Sequence, residues 1–283
     1  MTFVHAETVE APSGKDAAYE NFPVGSFLLP AAVRPHVAVF YAYARAIDDI
    51  ADSPDLAPEE KLRRLQGFAR ALLDPAGDHP GYAKAQAMAR TLAQTGIPPR
   101  HCLDLISAFE QDSVKGRYAD WAELIDYCDR SAAPVGRFLL DLHGGCRAGY
   151  APSDALCNAL QVLNHLQDCQ EDYRVLDRVY LPGDWLAADG SGVADLDRPA
   201  ASPGLRRVLD RCLDGVDALL VTAAALPGGL RSRRLAMESA AILQIARALS
   251  ALLRRRDPLA GRVGLTKPTF LWCCVRGVVS SMW

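Results

Sequence analysis

Prolines divide this chain of 283 residues into intervals that match the length of helices. The stretches that follow Pro35, Pro58, Pro152 and Pro203 are each long enough for several helical turns. Because proline suits the first turn of a helix and breaks its interior, this punctuation is typical of a helical bundle. Half of the residues are hydrophobic but only 7% are aromatic, and Ala and Leu dominate, which favours helix over strand. The sequence predicts an all-α protein.

The breaks predict where the helices begin and where the chain leaves them. We expect helices to start near Arg34, Pro58, Gly81, Pro99, Asp120, Ser131, Ser153, Pro203 and Leu230. Residues 181–204, "LPGDWLAADGSGVADLDRPAASPG", have no apolar period, so they are predicted to form a loop or lid. No composition shift marks a boundary, so we predict one domain over residues 1–283, with residues 1–18 disordered.

Charge and cysteine usage exclude several classes of protein. A formal net charge of −3 gives no general attraction to nucleic acid, although the run 254–256 is basic. Eight cysteines lie without CxxC pairs or zinc-spaced histidines, which indicates small core residues in a reducing cytoplasm. We find no secretory signal and no uncharged apolar run of about 18 residues. The prediction is a soluble or peripheral protein without a nucleic-acid partner.

A first acidic cluster stands in "YAYARAIDDIADSPD", residues 41–55. On a helix Asp48 and Asp52 share a face, and Asp49 is displaced from it by about 100°. Tyr41 and Arg45 precede Asp48 on the same face, where a cation could grip a diphosphate. The alternatives are a solvated helix end and an Arg45 that merely pairs with Asp48 or Asp49.

A second polar seam follows in "LQVLNHLQDCQEDYRVLDRVYLP". Gln161, Asn164, Asp168 and Asp172 recur at helical spacing, and Glu171 lies three residues after Asp168. Leucines 160, 163 and 166 occupy the other face, so the helix is not uniformly polar.

Two such seams could face each other across a bundle interior, as carboxylate-bearing helices do in metal-binding bundles. Oxygen ligands without convergent His or Cys favour a hard ion, with Mg²⁺ before Ca²⁺ or Mn²⁺, over zinc or a di-iron centre. Mg²⁺ commonly shares its coordination shell with substrate phosphates. The two seams together therefore predict a Mg²⁺-dependent diphosphate site.

The motifs "RAIDDIAD" and "NHLQDCQEDYRVLDRVYLP" resemble those of the squalene/phytoene synthase family of isoprenoid enzymes. "FEQDSVKGRYADWAELIDYC" and "YCDRSAAPVG" are similar to further segments of that family, so the likeness runs from about Phe22 to Pro182. The resemblance implies an all-α isoprenoid-synthase fold with a central cavity, polar at its mouth and apolar in its depth.

The resemblance also implies roles for individual residues. Asp48, Asp52, Asp168 and Asp172 would be catalytic and, with Asn164, would hold Mg²⁺ (or Mn²⁺) against a prenyl diphosphate. Asp49 and Glu171 would act on the metal through a water or a neighbouring ligand. The residues that would line the substrate site are Phe22, Tyr41, Arg45, Gln161, Asn164, Arg178 and Tyr180.

The chain departs from the family pattern in two places. "YENFPVGSFLLP" keeps Phe22 but lacks the usual Ser and Lys, and Gln167 stands where an Arg normally precedes the second Asp motif. Fewer cations suggest a site that does not hold two diphosphates at once. "ENFPVGS", "SAAPVGR" and "NHLQDCQEDY" resemble the hopanoid-pathway branch of the family, whose lyases convert presqualene diphosphate and water to hydroxysqualene and diphosphate.

Two other functions stay open from the sequence. One is a head-to-head transferase that makes presqualene diphosphate, squalene or phytoene from two prenyl diphosphates. The other is a non-catalytic scaffold protein, for which eroded metal motifs would be expected. No Gly-rich strand-to-helix motif is present, so NADPH is not expected.

Several features have only broad interpretations. Tyr41, Tyr43 and His165 are candidates for placing the water that captures the carbocation, and a core role is the alternative for each. The C-terminal "KPTFLWCCVRGVVSSMW" is either a weak interfacial segment or a buried last helix. We expect a cytoplasmic protein, peripheral to the inner membrane, whose partners are the upstream and downstream enzymes of the squalene pathway. The oligomeric state is left open.

Overall fold

The computed structural model describes residues 9–12, 29–145 and 147–281, and most of them are helical. The all-α prediction is confirmed. The helices are α1 (Arg34–Asp52), α2 (Pro58–Leu73), α3 (Ala83–Thr95), α4 (Arg100–Asp112), α5 (Trp121–Ser131), α6 (Ala133–Leu142), α7 (Tyr150–Leu176), α8 (Gly183–Ala188), α9 (Pro203–Ala223), α10 (Leu226–Gly229), α11 (Arg233–Leu253) and α12 (Lys267–Ser280). Phe22 and the "YENF" segment lie outside the described residues, so the predictions for them are untested.

The chain divides into two compact units, Met1–Lys115 and Gly116–Trp283. The first unit contains α1 to α4, which pack on one another around a core that includes Tyr43 and Phe68, whose rings meet edge to face. Glu10 is tied to this unit by an ion pair with Lys84. Residues 1–8 and 13–18 are not described, so the expected disorder of residues 1–18 stays a prediction, as does the single domain.

The second unit is organised around α7, the longest helix, which packs against α5, α6, α9 and α11. A short parallel ladder joins β1 (Arg117–Tyr118) to β2 (Val179–Pro182), and the sequence did not predict it. Gly116 allows the approach, because a Cβ there would lie 2.6 Å from the carbonyl oxygen of Asp177. This ladder brings the segment after α4 beside the end of α7.

Residues 181–204 are not the structureless loop that their composition predicts. They contain the end of β2, α8 and a 3₁₀ turn. The Trp185 ring stacks on Trp121 at 5.5 Å, and the Arg211 guanidinium lies 4.2 Å from the Trp185 ring centroid. This segment is therefore ordered by contacts with residues distant in the sequence. Such contacts do not require a regular spacing of apolar residues.

All nine predicted helix starts agree with the structure to within three residues, and the difference at α7 is informative. It begins at Tyr150, so Ser153 lies inside it and is buried against Gly136, where an added Cβ would meet the Ser153 hydroxyl at 2.3 Å. Of the seven described cysteines all are free and five are buried, which agrees with the predicted core role.

Two segments of the described chain are long and apolar enough to cross a membrane, Pro203–Gly229 and Arg233–Leu253. Their mean hydropathy is 1.3, and the second is largely buried against neighbouring helices. Core helices meet the same criterion, so the finding rests on length and composition alone.

Candidate functional site

The first acidic cluster lies at the C-terminal end of α1. Asp48, Asp49 and Asp52 fall in its last two turns, and no basic residue lies in the last turn. The partial negative charge of a helix C-terminus opposes carboxylates there by about 0.3–1 kcal/mol each. The Lys61 ammonium offsets part of this charge by donating to the carbonyl oxygen of Ala51 at 2.8 Å. An arrangement that costs stability in this way is typical of a functional site.

The pKa of Asp48 is strongly perturbed. Burial and the neighbouring Asp52 carboxylate raise the pKa of Asp48 well above its usual range, and Asp49 and Asp112 add to the effect. The Arg45 guanidinium opposes the shift without cancelling it. Although 29% of the Asp48 side chain is exposed, burial and the nearby carboxylates outweigh the Arg45 charge at this position. A divalent cation would supply the missing charge.

Asp49 contacts the Arg45 side chain directly. Its Oδ1 accepts from the Arg45 Nε at 2.8 Å and from the Arg45 Nη2 at 2.6 Å, and the side chain is almost fully buried. The Arg45 Nη1 also lies 3.2 Å from the Asp48 Oδ2. Asp49 therefore anchors the guanidinium that the sequence predicts to grip a diphosphate.

Asp112 is a member of the cluster that the sequence reasoning missed. It is the last residue of α4, it is buried, and its charge acts on Asp48. The sequence did contain a signal for Asp112, because helical spacing places it on the same face of α4 as the buried residues Leu105 and Phe109. An acid on an apolar face is rarely buried without a partner or a function.

The second seam is present along α7 in the second unit. Gln161, Asn164 and Asp172 are half-buried, whereas Asp168 is exposed. Helical spacing places the four on one stripe, and the buried leucines lie on the other faces. Glu171 is also exposed, and like Asp49 its predicted indirect contact with a metal is untested. Asp172 lies near the C-terminal end of α7, where the helix dipole opposes a carboxylate, and Asp168 lies one turn before it.

Gln167, the substitute for the usual Arg, has a structural partner. Its Nε2 donates to the carbonyl oxygen of Val263 at 2.6 Å. The amide thus fixes the chain that leads into α12.

A buried aromatic cluster adjoins the second seam, formed by Tyr118, Tyr127, His165 and Tyr180. The His165 ring stacks on Tyr180 with centroids 3.7 Å apart, and the three tyrosine rings lie 5.5 Å from one another. Arg178, which the sequence predicts to contact substrate, is also buried. The sequence reasoning named Tyr180 but not Tyr118 or Tyr127, because their convergence depends on the β1–β2 ladder.

His165 is held in its neutral form. Burial, with a contribution from the Arg178 charge, lowers the pKa of His165 to about 3. The Gln161 Nε2 lies 3.2 Å from the His165 Nε2, which fixes the ring against the seam. Tyr43 is different, because it is fully buried in the first unit and its hydroxyl donates to the Cys102 carbonyl at 3.3 Å. The core alternative therefore describes Tyr43, and Tyr41 is only half-buried.

The neutral His165 predicts an acid-sensitive fold. Its folded pKa lies below the unfolded value of 6.5, so the unfolded state binds the proton first and stability is lost as the pH falls from 6.5 towards 3. Over this range His165 lowers the free energy of unfolding by about 1.4 kcal/mol for each unit by which the pH falls. Urea unfolding across this range should show a shallower pH slope for His165→Phe than for wild type. A slope unchanged in His165→Phe, or reduced equally in a His36→Phe control, would contradict the assignment.

The donor set fits Mg²⁺ better than a closed metal cage. In the described ranges no three His, Cys, Asp or Glu side chains converge as a ready-made ligand cluster. Mg²⁺ needs only one or two protein carboxylates, because waters and substrate phosphates complete its octahedron. The carboxylates around Asp48, and the carboxylate and amide oxygens along α7, are ligands of the kind that Mg²⁺ uses.

Comparison with known proteins agrees with these observations. Residues 16–269 match the model of the squalene/phytoene synthase family. The hydroxysqualene synthase of Rhodopseudomonas palustris is 42% identical over 96% of this chain and 92% of that protein. That of Zymomonas mobilis is 39% identical over 89% of this chain and 84% of that protein. The crystal structure of a squalene synthase from Alicyclobacillus acidocaldarius aligns with a TM-score of 0.74 at 32% identity, covering 82% and 87% of the two chains.

Proposed function

Because the chain belongs to the squalene/phytoene synthase family, we propose that it converts presqualene diphosphate and water to hydroxysqualene and diphosphate. The observation that carries this proposal is the crowding of Asp48 with Asp49, Asp52 and Asp112 at the end of α1. Relatives about 40% identical over most of the chain are hydroxysqualene synthases, which supports the choice within the family.

The proposed metal is Mg²⁺. In the first unit Asp48 and Asp52 would be its ligands, and in the second unit Asn164, Asp168 and Asp172 are the proposed ligands. When bound, it supplies Lewis-acid neutralisation of the diphosphate oxygens. The Arg45 guanidinium donates hydrogen bonds to the same leaving group, and Asp49 holds the guanidinium in a fixed orientation. Charge that develops on the departing diphosphate thus meets preorganised positive groups.

Departure of diphosphate breaks a C–O bond and leaves a carbocation that must rearrange before water adds to it. Tyr118, Tyr127 and Tyr180 provide a buried aromatic wall whose π faces stabilise positive charge and exclude stray water. The captured water loses one proton as its oxygen bonds to carbon. The neutral imidazole of His165 is the proposed acceptor of this proton.

The decisive experiment is a product assay. Purified protein incubated with Mg²⁺ and presqualene diphosphate should yield hydroxysqualene by mass spectrometry, with none formed when EDTA replaces Mg²⁺. Presqualene diphosphate formed from farnesyl diphosphate alone, or phytoene formed from geranylgeranyl diphosphate alone, would instead establish the transferase alternative. Absence of any product from these substrates would contradict both.

The substrate also indicates a place of action. A diphosphate with two long prenyl tails partitions into membranes, and its alcohol product, which has lost the charged diphosphate, does so more strongly. We propose that the protein works in the cytoplasm at the surface of the inner membrane, between enzymes that supply the prenyl diphosphate and enzymes that consume the alcohol.

A further inference from the structure

The outward face of α12 carries a continuous apolar stripe. Leu271, Trp272, Val275 and Val279 are 64%, 65%, 48% and 50% exposed. At about 100° per residue these four side chains fall within one arc of about 100° on the helix surface. Single exposed apolar residues are ordinary, but a contiguous set on one helix marks an interaction surface. We call these four residues the α12 stripe.

The opposite face of α12 is locked against α11. Cys273 and Gly277 are buried, and a Cβ on Gly277 would lie only 2.4 Å from the Ala241 Cα. Backbones this close fix the rotation of α12 about its axis. The helix cannot turn the stripe inward, and within residues 9–12, 29–145 and 147–281 the four side chains stay exposed.

Positive charge surrounds the stripe although the whole chain is net negative. From residue 254 to the C-terminus the sequence has six cationic residues and one acid, Asp257. That acid is engaged internally, since it accepts from the backbone N–H groups of Ala201 and Leu259. Lys267 and Arg276 stand at opposite edges of the stripe, each about 40° beyond it. These positions suit side chains that reach from an apolar layer to anionic headgroups.

Two further arginines extend the positive surface to the beginning of α12. Arg255 and Arg256 line a cavity of about 290 Å³ with Leu252 and Leu265. Arg254 is paired with Asp214 and Asp217. In the described part of the chain no ion pair is made by Arg255, Arg256, Arg262, Lys267 or Arg276.

We infer that the α12 stripe and its flanking cations dock on an anionic phospholipid bilayer, with α12 lying in the plane of the interface. The apolar stripe enters the acyl boundary, while Lys267 and Arg276 pair with lipid phosphates. Charge selects this occupant, because a segment with six cations and one acid complements an anionic surface and repels a second copy of itself. The inference deepens the proposed function, since it names the surface through which a membrane-dissolved prenyl diphosphate is reached.

Vesicle flotation without substrate tests the docking surface. Wild type should float with vesicles that contain phosphatidylglycerol and much less with phosphatidylcholine alone. The triple variant Leu271→Gln/Trp272→Gln/Val275→Gln should bind roughly a hundredfold more weakly. The double variant Lys267→Gln/Arg276→Gln should lose about fivefold for each cation removed. Leu73→Gln/Val221→Gln, which alters exposed apolar residues on other helices, is the matched control and should float like wild type.

Three results of the flotation experiment and one result of light scattering would overturn the inference. Wild type that does not float, equal losses in the control variant, or equal binding to neutral vesicles would exclude the anionic docking surface. Light scattering that shows a wild-type dimer and a monomeric triple variant would assign the stripe to contacts between copies. Because flotation uses no substrate, it remains decisive even if presqualene diphosphate is not turned over, so failure of the activity and failure of the docking surface are distinguishable.

Discussion

Replacing Asp48 or Asp52 by asparagine is expected to lower kcat with presqualene diphosphate by a factor on the order of 10²–10³. Asparagine keeps the size of the side chain but removes the charge that holds Mg²⁺ at the leaving group. In the second unit, Asp168→Asn and Asp172→Asn should cause losses of similar size. Steady-state rates at saturating Mg²⁺ measure the effect.

The matched control for this loss is Asp55→Asn, an exposed acid in the turn after α1, which should retain full activity. Thermal unfolding gives a second readout. Mg²⁺ with diphosphate should raise the Tm of wild type by mass action, and the increase should vanish in Asp48→Asn. Without Mg²⁺ this variant should be as stable as wild type or up to about 1 kcal/mol more stable, because it removes a carboxylate from a helix C-terminus. Full biological activity of Asp48→Asn and Asp168→Asn in genetic complementation would instead favour a scaffold role.

Local signals in the sequence were sufficient to predict the helices that carry these acids. The first helical turns of α1, α2 and α9 contain Pro35, Pro58 and Pro203, and proline acts on the backbone at the place where it stands. The spacing from Gln161 to Asp172 predicted a single stripe on one long helix, and α7 runs through all of it. Short-range chemistry therefore predicted the fold class and the positions of the acids along their helices.

What the sequence could not predict depends on contacts between distant residues. Asp112 joins the first cluster only because α4 packs beside α1. Tyr118 meets Tyr180 only because residues more than fifty positions apart form the β1–β2 ladder. The Asp49 contact lay within reach of local reasoning, since Arg45 and Asp49 are four apart on one helix. Spacing alone allowed Arg45 to pair with either neighbouring acid, and only side-chain geometry shows that Asp49 takes the shorter contacts.

Asp49→Ala is expected to reduce activity by roughly tenfold to a hundredfold, less than Asp48→Ala or Asp52→Ala. Asp49 holds no place on the metal in this assignment and acts through Arg45, which it binds at 2.6 and 2.8 Å. Without Asp49 the guanidinium loses these two contacts, keeps its 3.2 Å contact with Asp48 and is drawn toward that carboxylate. It is then misplaced for the diphosphate and competes for a proposed metal ligand. Steady-state rates of the three alanine variants give the order.

A double-mutant cycle separates this positioning role from a direct one. If Asp49 works through Arg45, then Arg45→Gln/Asp49→Ala should be no slower than Arg45→Gln alone, because the second change removes nothing further. Glu60→Ala, which frees Arg63 and Arg64 from a comparable ion pair on α2, is the control and should keep wild-type rates. Additive losses in the cycle, or an Asp49→Ala enzyme slower than Asp48→Ala, would place Asp49 on the metal or the substrate itself. Asp49 would then share the proposed role of Asp48, and Arg45 would owe its orientation to other groups around it.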